Sequence, residues 1–251
     1  MKILEVPFIE RANQFVKSGD SSKKIMASLR GKESEKIGIE GKDFVEITKL
    51  IYKKAFESFD KKLFFLGGDH FLSYTLIRAF FNYSENEGKE PCLIIFDSRP
   101  NLKEPINKKM PFSDEWLRAL IDYGFPIKNI LLVGVRNFSS PELKFMGEKI
   151  RRVSIEELMF DLESKTDAIM EFGYGREVYV SIDISFVDPA YVPGAVLCEP
   201  GGGSSKEFLY MIKRMSKMKN LRAVDLVGID SSKDLGNRTI ELGAKIVKSF
   251  L

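Results

Sequence analysis

A single histidine, His70, stands in the 251 residues of this chain. Imidazole is the usual general acid or base near neutral pH and a frequent metal ligand, so such chemistry uses His70 or proceeds without it. Cysteine is almost as scarce, with Cys92 and Cys198 the two present. They lack CxxC spacing and suggest neither a disulfide framework nor a zinc site, which leaves them as small core residues. No apolar run approaches the ~18 residues of a membrane span, and the opening MKILEVPFIERANQ has too short an apolar stretch for a signal peptide. A cytoplasmic protein without a membrane partner is expected. Positive charge is in only small excess, 39 Lys and Arg against 36 Asp and Glu, and the lysines are scattered as pairs such as Lys23-Lys24 and Lys53-Lys54. With no basic stripe carrying interleaved aromatics, no nucleic-acid partner is expected.

What is present is ordinary globular material, 44% hydrophobic and 30% charged, so the chain should fold end to end. Short apolar runs recur: KLFFLGG (62–68), CLIIFD (92–97), ILLVGVR (130–136), EVYVSID (177–183) and RAVDLVGID (222–230). They are continuous rather than alternating, as in strands covered on both faces, and they predict a parallel sheet. Amphipathic segments lie between them. Over 43–59, Phe44, Ile47, Ile51 and Ala55 share one face. Ser113 before DEWLRALIDY reads as an N-cap, with Gly124 as the stop; Ser154 with Glu157 and Ser204 with Glu207 fit capping boxes; ELGAKIVKSFL reads as a last helix. Strand and helix alternate from about residue 60, which predicts a doubly wound, three-layer α/β/α arrangement.

In such folds ligands bind beyond the carboxyl ends of the strands. The runs end in GGDH (67–70), DSRPN (97–101) and SIDISFVDP (181–189), which would deliver His70, Asp97 and Asp183 to one crevice. Each also has a plain structural reading: glycines for a tight turn with Asp69 capping the next helix, acids as turn residues, a lone histidine in the core. A further stretch, GGGSSKEF (201–208), opens a helix with glycines but lacks the order of a phosphate-binding P-loop.

The ordered set GGDH (67–70), FDSRPN (96–101), SIDISFVDPAYVPG (181–194), EPGG (199–202) and VDLVGID (224–230) resembles the signatures of the ureohydrolases, the superfamily of arginase, agmatinase and formimidoylglutamase. The resemblance implies a single α/β/α domain over 1–251 with a mostly parallel sheet. It also implies a pair of manganese ions that activate a bridging hydroxide against the carbon of a small guanidino or amidino compound, and assembly into a homo-oligomer. Two such ions lower the pKa of the bridging water and stabilise the tetrahedral transition state, and oxygen ligands with one imidazole suit manganese.

The same comparison shows where the pattern breaks. The family signature D-A-H-x-D supplies ligands from its first, third and fifth residues, and here those places hold Asp97, Arg99 and Asn101; in S-x-D-x-D the two acids fall at Asp183 and Ser185. The resemblance thus leaves His70, Asp97 and Asp183 for one metal, with Asn101 as a neutral oxygen ligand, and replaces the second metal's histidine by Arg99. Gly228 stands where the D-x-V-E-x-N-P motif places a glutamate that contacts the guanidino group, and a further loop histidine of the family is absent.

Charge suggests a role for Arg99. Two carboxylates and one guanidinium leave about one negative charge, and adding a divalent ion ~4 Å from the guanidinium costs up to ~8 kcal/mol at an effective dielectric of ~20. Arg99 is therefore expected to fork onto Asp97 or Asp183 in place of the second metal, the alternative being a side chain turned to solvent. Two functions compete: a member of the fold that does not catalyse urea-forming hydrolysis, and a hydrolase of C–N bonds in amidines or linear amides that uses one Mn²⁺. Rebuilding the lost ligands should restore metal, and Gly228→Glu should then begin to restore hydrolysis.

Overall fold

The computed structural model describes residues 1–6, 19–39 and 41–251. The rest of the opening segment MKILEVPFIERANQ, and with it the reading of that segment as no signal peptide, lies outside them. Among the described residues no helix is long and apolar enough to cross a membrane.

Eight strands, β1 (Lys2–Glu5), β2 (Glu35–Lys36), β3 (Leu63–Leu66), β4 (Pro91–Phe96), β5 (Ile130–Val133), β6 (Arg151–Val153), β7 (Glu177–Asp183) and β8 (Leu221–Val227), form one sheet. Their order is β2-β1-β3-β8-β7-β4-β5-β6, and every pairing is parallel. Crossovers are made by helices α1 (Gly19–Ser28), α2 (Phe44–Ser58), α3 (Phe71–Asn86), α4 (Trp116–Tyr123), α5 (Ser140–Met146), α6 (Ile155–Phe160), α7 (Leu162–Phe172), α8 (Ser205–Met215) and α9 (Arg238–Phe250).

The continuous apolar runs have their cause in two separate cores. Phe64, Ile94, Phe96, Val180, Ile182 and Leu226 face one side of the sheet and pack with Phe208, Met211, Ile246 and Val247 of α8 and α9. Their alternates Leu63, Phe65, Leu93, Ile95 and Tyr179 face the other and pack with Ile51, Ala55, Leu76, Phe80 and Leu117 of α2, α3 and α4. A strand covered on both faces is apolar along its length except where a buried polar side chain finds a partner, as Ser181 of β7 and Asp225 of β8 do in each other. This is the three-layer α/β/α arrangement.

The helix starts follow local chemistry with one displacement. Ser154 and Ser204 cap α6 and α8 in reciprocal boxes with Glu157 and Glu207. Ser113 does not cap α4, which begins at Trp116 after Glu115. Glu115 instead turns back so that its carboxylate accepts the Phe112 amide at 2.9 Å, which closes the preceding turn and delays the helix by two residues. The glycine-rich loop before α8 is occupied from within, because Asp188 Oδ2 accepts the amides of Gly201 and Gly202 at 2.8 and 3.2 Å. Its amides are engaged by this chain.

Candidate metal centre

β4 and β7 are neighbours, whereas β3 is separated from β7 by β8. A histidine following β3 must therefore reach past the end of β8 to meet Asp97 and Asp183. The chain allows this at Gly228, the first residue beyond β8, which adopts φ +79°. A Cβ at that position would lie 2.6 Å from Asp183 Oδ1 and 2.7 Å from Oδ2. The carboxylate of Asp183 thus packs on the bare Cα of Gly228, and the Gly228 amide donates to the Gly68 carbonyl at 2.9 Å, tying β8 to the GGDH turn. Gly228→Ala is expected to lower stability by ~2 kcal/mol or more, ~1–2 kcal/mol for the left-handed backbone and the rest from displacing Asp183. Denaturant titration checks this, and a loss below ~0.5 kcal/mol, the range of a neutral surface change, would contradict the close approach.

His70 Nδ1 lies 3.1 Å from Asp97 Oδ2 and 3.2 Å from Asp183 Oδ2, with all three residues buried. Burial alone would push the imidazole pKa down, but the hydrogen bonds and charges of Asp183 and Asp97 outweigh it and hold the value well above the usual range. Burial likewise opposes ionisation of Asp183, and His70 together with the Ser185 donors overcomes it, so the Asp183 carboxyl titrates below its ordinary range. In the metal-free protein an imidazolium sits between two carboxylates.

The other edge of the ring faces Ser181, with Nε2 3.4 Å from its Oγ, and Ser181 donates onward to Asp225 Oδ1 at 2.8 Å. Asp225 is fully buried, accepts the Tyr179 hydroxyl at 2.9 Å, and has its pKa raised by that burial. The indole of Trp116 closes one side of His70, ring centroids 5.0 Å apart. Ser181, Asp225 and Trp116 were not singled out by the sequence reading. The acid inside the apolar run RAVDLVGID was the available signal, since an ionisable residue in a doubly covered strand needs partners from its neighbours.

The remaining donors converge on the acids. Asp97 Oδ1 accepts the Arg99 amide at 2.9 Å and the Ser185 hydroxyl at 3.1 Å, and its Oδ2 accepts Asn101 Nδ2 at 2.7 Å. Ser185 also gives its amide to Asp183 Oδ1 at 2.8 Å, and Ser98 donates to the Ser185 oxygen at 2.9 Å. Asn101, in the left-handed region at φ +54°, therefore meets Asp97 as a donor. Arg136 holds the surrounding loops, its guanidinium donating to the carbonyls of Ser185 at 2.8 Å, Pro200 at 2.9 Å and Glu199.

The guanidinium of Arg99 departs from the expectation. Among the described residues it forms no ion pair with Asp97 or Asp183 and no hydrogen bond, and its Nε is buried without a partner. The Arg99 backbone amide takes the position on Asp97, and its side chain lines a cleft with Lys103, Asn137 and Glu142. The imidazolium of His70 already neutralises the acids from between them, so a second cation has less to gain there and would meet a like charge. Nor is the side chain simply turned to solvent, because Arg99 is only partly exposed.

A metal fits this donor set once. His70, Asp97 and Asp183 each offer a ligand atom, all within 4.8 Å of one another. With Arg99 turned away, two carboxylates and a neutral imidazole balance one divalent ion, and a second would leave two uncompensated positive charges. The Nε2 contact to Ser181 is the kind of outer partner that fixes a ligating histidine's tautomer.

Comparison with known proteins gives the same frame. The arginase family profile matches residues 15–251. Agmatinase of Bacillus subtilis is 28% identical over 194 residues, 74% of this chain and 61% of that protein; mitochondrial arginase 1 of Oryza sativa is 24% identical over 215 residues, 85% of this chain and 61% of that protein. The chain thus spans about three-fifths of the length of these curated relatives. Among solved structures, formimidoylglutamase of Bacillus subtilis superposes with a TM-score of 0.88 at 18% identity, covering 99% of this chain and 85% of that one. Arginase of Bacillus cereus superposes at 0.83 and 16% identity, covering 99% and 96%. The profile spans GGDH, the site acids and the last helix: the chain belongs to the arginase family.

Proposed function

We propose that this protein has lost the two-metal centre of its relatives and does not catalyse urea-forming hydrolysis. The reading rests on how Asp97 is used. A carboxylate that bridges two ions must present lone pairs to both, yet Asp97 receives four donors from this chain: the Arg99 amide, Ser185 Oγ, Asn101 Nδ2 and His70 Nδ1. Ser185 and Asn101 act there as neutral donors, and Gly228 offers no carboxylate to orient a guanidinium. The protein is read as a single cytoplasmic domain over 1–251 that assembles with its own copies and takes a small molecule of guanidino, amidino or other class.

The test is urea release from arginine and from agmatine by the purified chain in saturating Mn²⁺. No urea above the blank is expected, and turnover with either substrate would overturn the reading.

A second reading is favoured by one observation, the convergence of His70, Asp97 and Asp183. One Mn²⁺ held there would act as a Lewis acid and lower the pKa of a water, which is the requirement for hydrolysing an amidine or linear amide. His70, once its Nδ1 proton was released to solvent, would hold the ion together with Asp97 and Asp183, and Ser181 would keep the ring oriented through Nε2. The raised pKa of His70 sets the pH dependence with a definite sign. Below the folded pKa each ion displaces a proton, so Mn²⁺ affinity should rise by up to tenfold per pH unit and binding should release about one proton. Calorimetry in buffers of different ionisation enthalpy measures this; affinity that is flat from pH 6 to pH 8 would place the ion away from His70.

A further inference from the structure

The loops that follow β4 and β5 enclose a cleft of about 320 Å³ beside the acids. Its charged lining is engaged except at one residue. Asp114 pairs with Lys103 at 2.7 Å. Glu142 accepts the Ser139 amide and hydroxyl at 2.9 and 2.7 Å and the Leu102 amide at 3.2 Å. The Asn137 amide nitrogen is held by Glu199. Arg99 remains, its guanidinium without a hydrogen bond or ion pair among the described residues and its Nε buried. Guanidinium N–H groups are rarely left without an acceptor. The Nε is sealed from solvent, which leaves the terminal nitrogens of Arg99 as the donors open to a ligand in a cleft of small-molecule size.

We propose that this cleft binds a small monocarboxylate, gripped by Arg99. The guanidinium is a planar fork of five donors that matches the two oxygens of a carboxylate. Charge limits the ligand to one negative unit, because Lys103 is paired with Asp114 and Glu142 has no cation of its own among the described residues. Arg99 is thus the one positive charge of this lining open to a ligand, and Glu142 would oppose a second anionic group. A guanidinium ligand meets like charge at Arg99, and Phe138 supplies an apolar wall for a short aliphatic stem. The proposal does not depend on the metal reading, since none of these contacts passes through His70, Asp97 or Asp183 side chains.

The experiment is ligand-observed NMR titration of the full chain, dialysed against chelator, with butyrate, butyramide, butylguanidinium and inorganic phosphate as probes. Butyrate is expected to bind at least tenfold more tightly than its neutral and cationic analogues and than phosphate. Arg99→Gln should weaken butyrate at least tenfold, with Arg99→Lys between the two, thermal unfolding confirming that both variants are folded. Equal binding of butyramide, tighter binding of butylguanidinium or of phosphate, or no binding of butyrate to the parent protein would each overturn the proposal. The three parent-protein comparisons hold even if a variant fails to fold. A repeat with Mn²⁺ separates the carboxylate site from the metal reading: butyrate binding that appears only with Mn²⁺ would assign the carboxylate to the ion and sink the role given to Arg99, whereas the metal reading itself is judged by metal content and by the pH dependence of Mn²⁺ binding.

Discussion

His70→Ala is expected to destabilise the metal-free protein by ~3–5 kcal/mol, the usual cost of removing one partner from a buried charge pair. The cause is the arrangement on either side of the ring: Asp97 and Asp183 are buried, and their cation lies between them at 3.1 and 3.2 Å. Without it the acids keep the Ser185, Asn101 and Arg99 amide donors but no charge of opposite sign within the centre. A fall in Tm of about 10 °C follows from the entropy scale of a chain this long. The pH dependence has a definite sign. His70 is raised from its ordinary 6.5, so its contribution is complete below about pH 6.5 and is lost as pH rises through the folded value. Asp183 is lowered from its ordinary 3.8, so its contribution is complete above about pH 4 and is lost as pH falls through its folded value. Parent and variant compared at pH 5–6 should therefore differ most, and a difference under ~1 kcal/mol there would mean that no imidazolium bridges the acids. The same variant should lose whatever Mn²⁺ affinity the parent shows.

Rebuilding the lost ligand positions is expected to have an effect of opposite sign in metal. Arg99→His, Asn101→Asp and Ser185→Asp together remove the Ser185 hydroxyl and Asn101 amide that Asp97 now accepts, and place four carboxylates where two stand. The metal-free triple variant should be less stable than the parent through like-charge repulsion. It should recover on adding Mn²⁺, with each site contributing ~4 kcal/mol at a thousandfold excess over Kd, and thermal shift across a Mn²⁺ series reads both effects. A triple variant as stable without metal as the parent would show that the present donors do not stabilise Asp97. Urea release should stay poor even then, since misplacement of a substrate by about 1 Å costs roughly a hundredfold in rate. The expectation that Gly228→Glu would begin to restore it does not survive the geometry. A Cβ at Gly228 falls 2.6 Å from Asp183 Oδ1 on a backbone at φ +79°, so the glutamate would displace a ligand before it met a substrate. Restoring that contact requires moving the end of β8.

The central strands and the trio His70, Asp97 and Asp183 were legible because their signals are covalent neighbours: short apolar runs ending in GGDH, FD and SID. The edges were less so. β2 is two residues and β6 is three, and their sequences EK and RRV carry polar side chains because they are not covered on both faces. The direction of Arg99 could not be read from DSRPN, since the backbone amide and the side chain of one residue compete for Asp97 and only the packed structure decides between them. Likewise the glycine in VDLVGID reads as a lost glutamate, whereas its positive φ and contact with Asp183 depend on how β8 ends against β7. Ser181 and Asp225 support His70 from strands distant in sequence, and no local pattern joins them.

The most direct test of the account is the number of Mn²⁺ ions bound per chain, counted by equilibrium dialysis and elemental analysis at pH 7.5 on the parent protein. Donors from His70, Asp97 and Asp183 alone, with the remaining lone pairs of Asp97 taken by Arg99, Asn101 and Ser185, predict no more than one ion, abolished by His70→Ala. Two ions per chain, both lost on replacing Asp97, would contradict it.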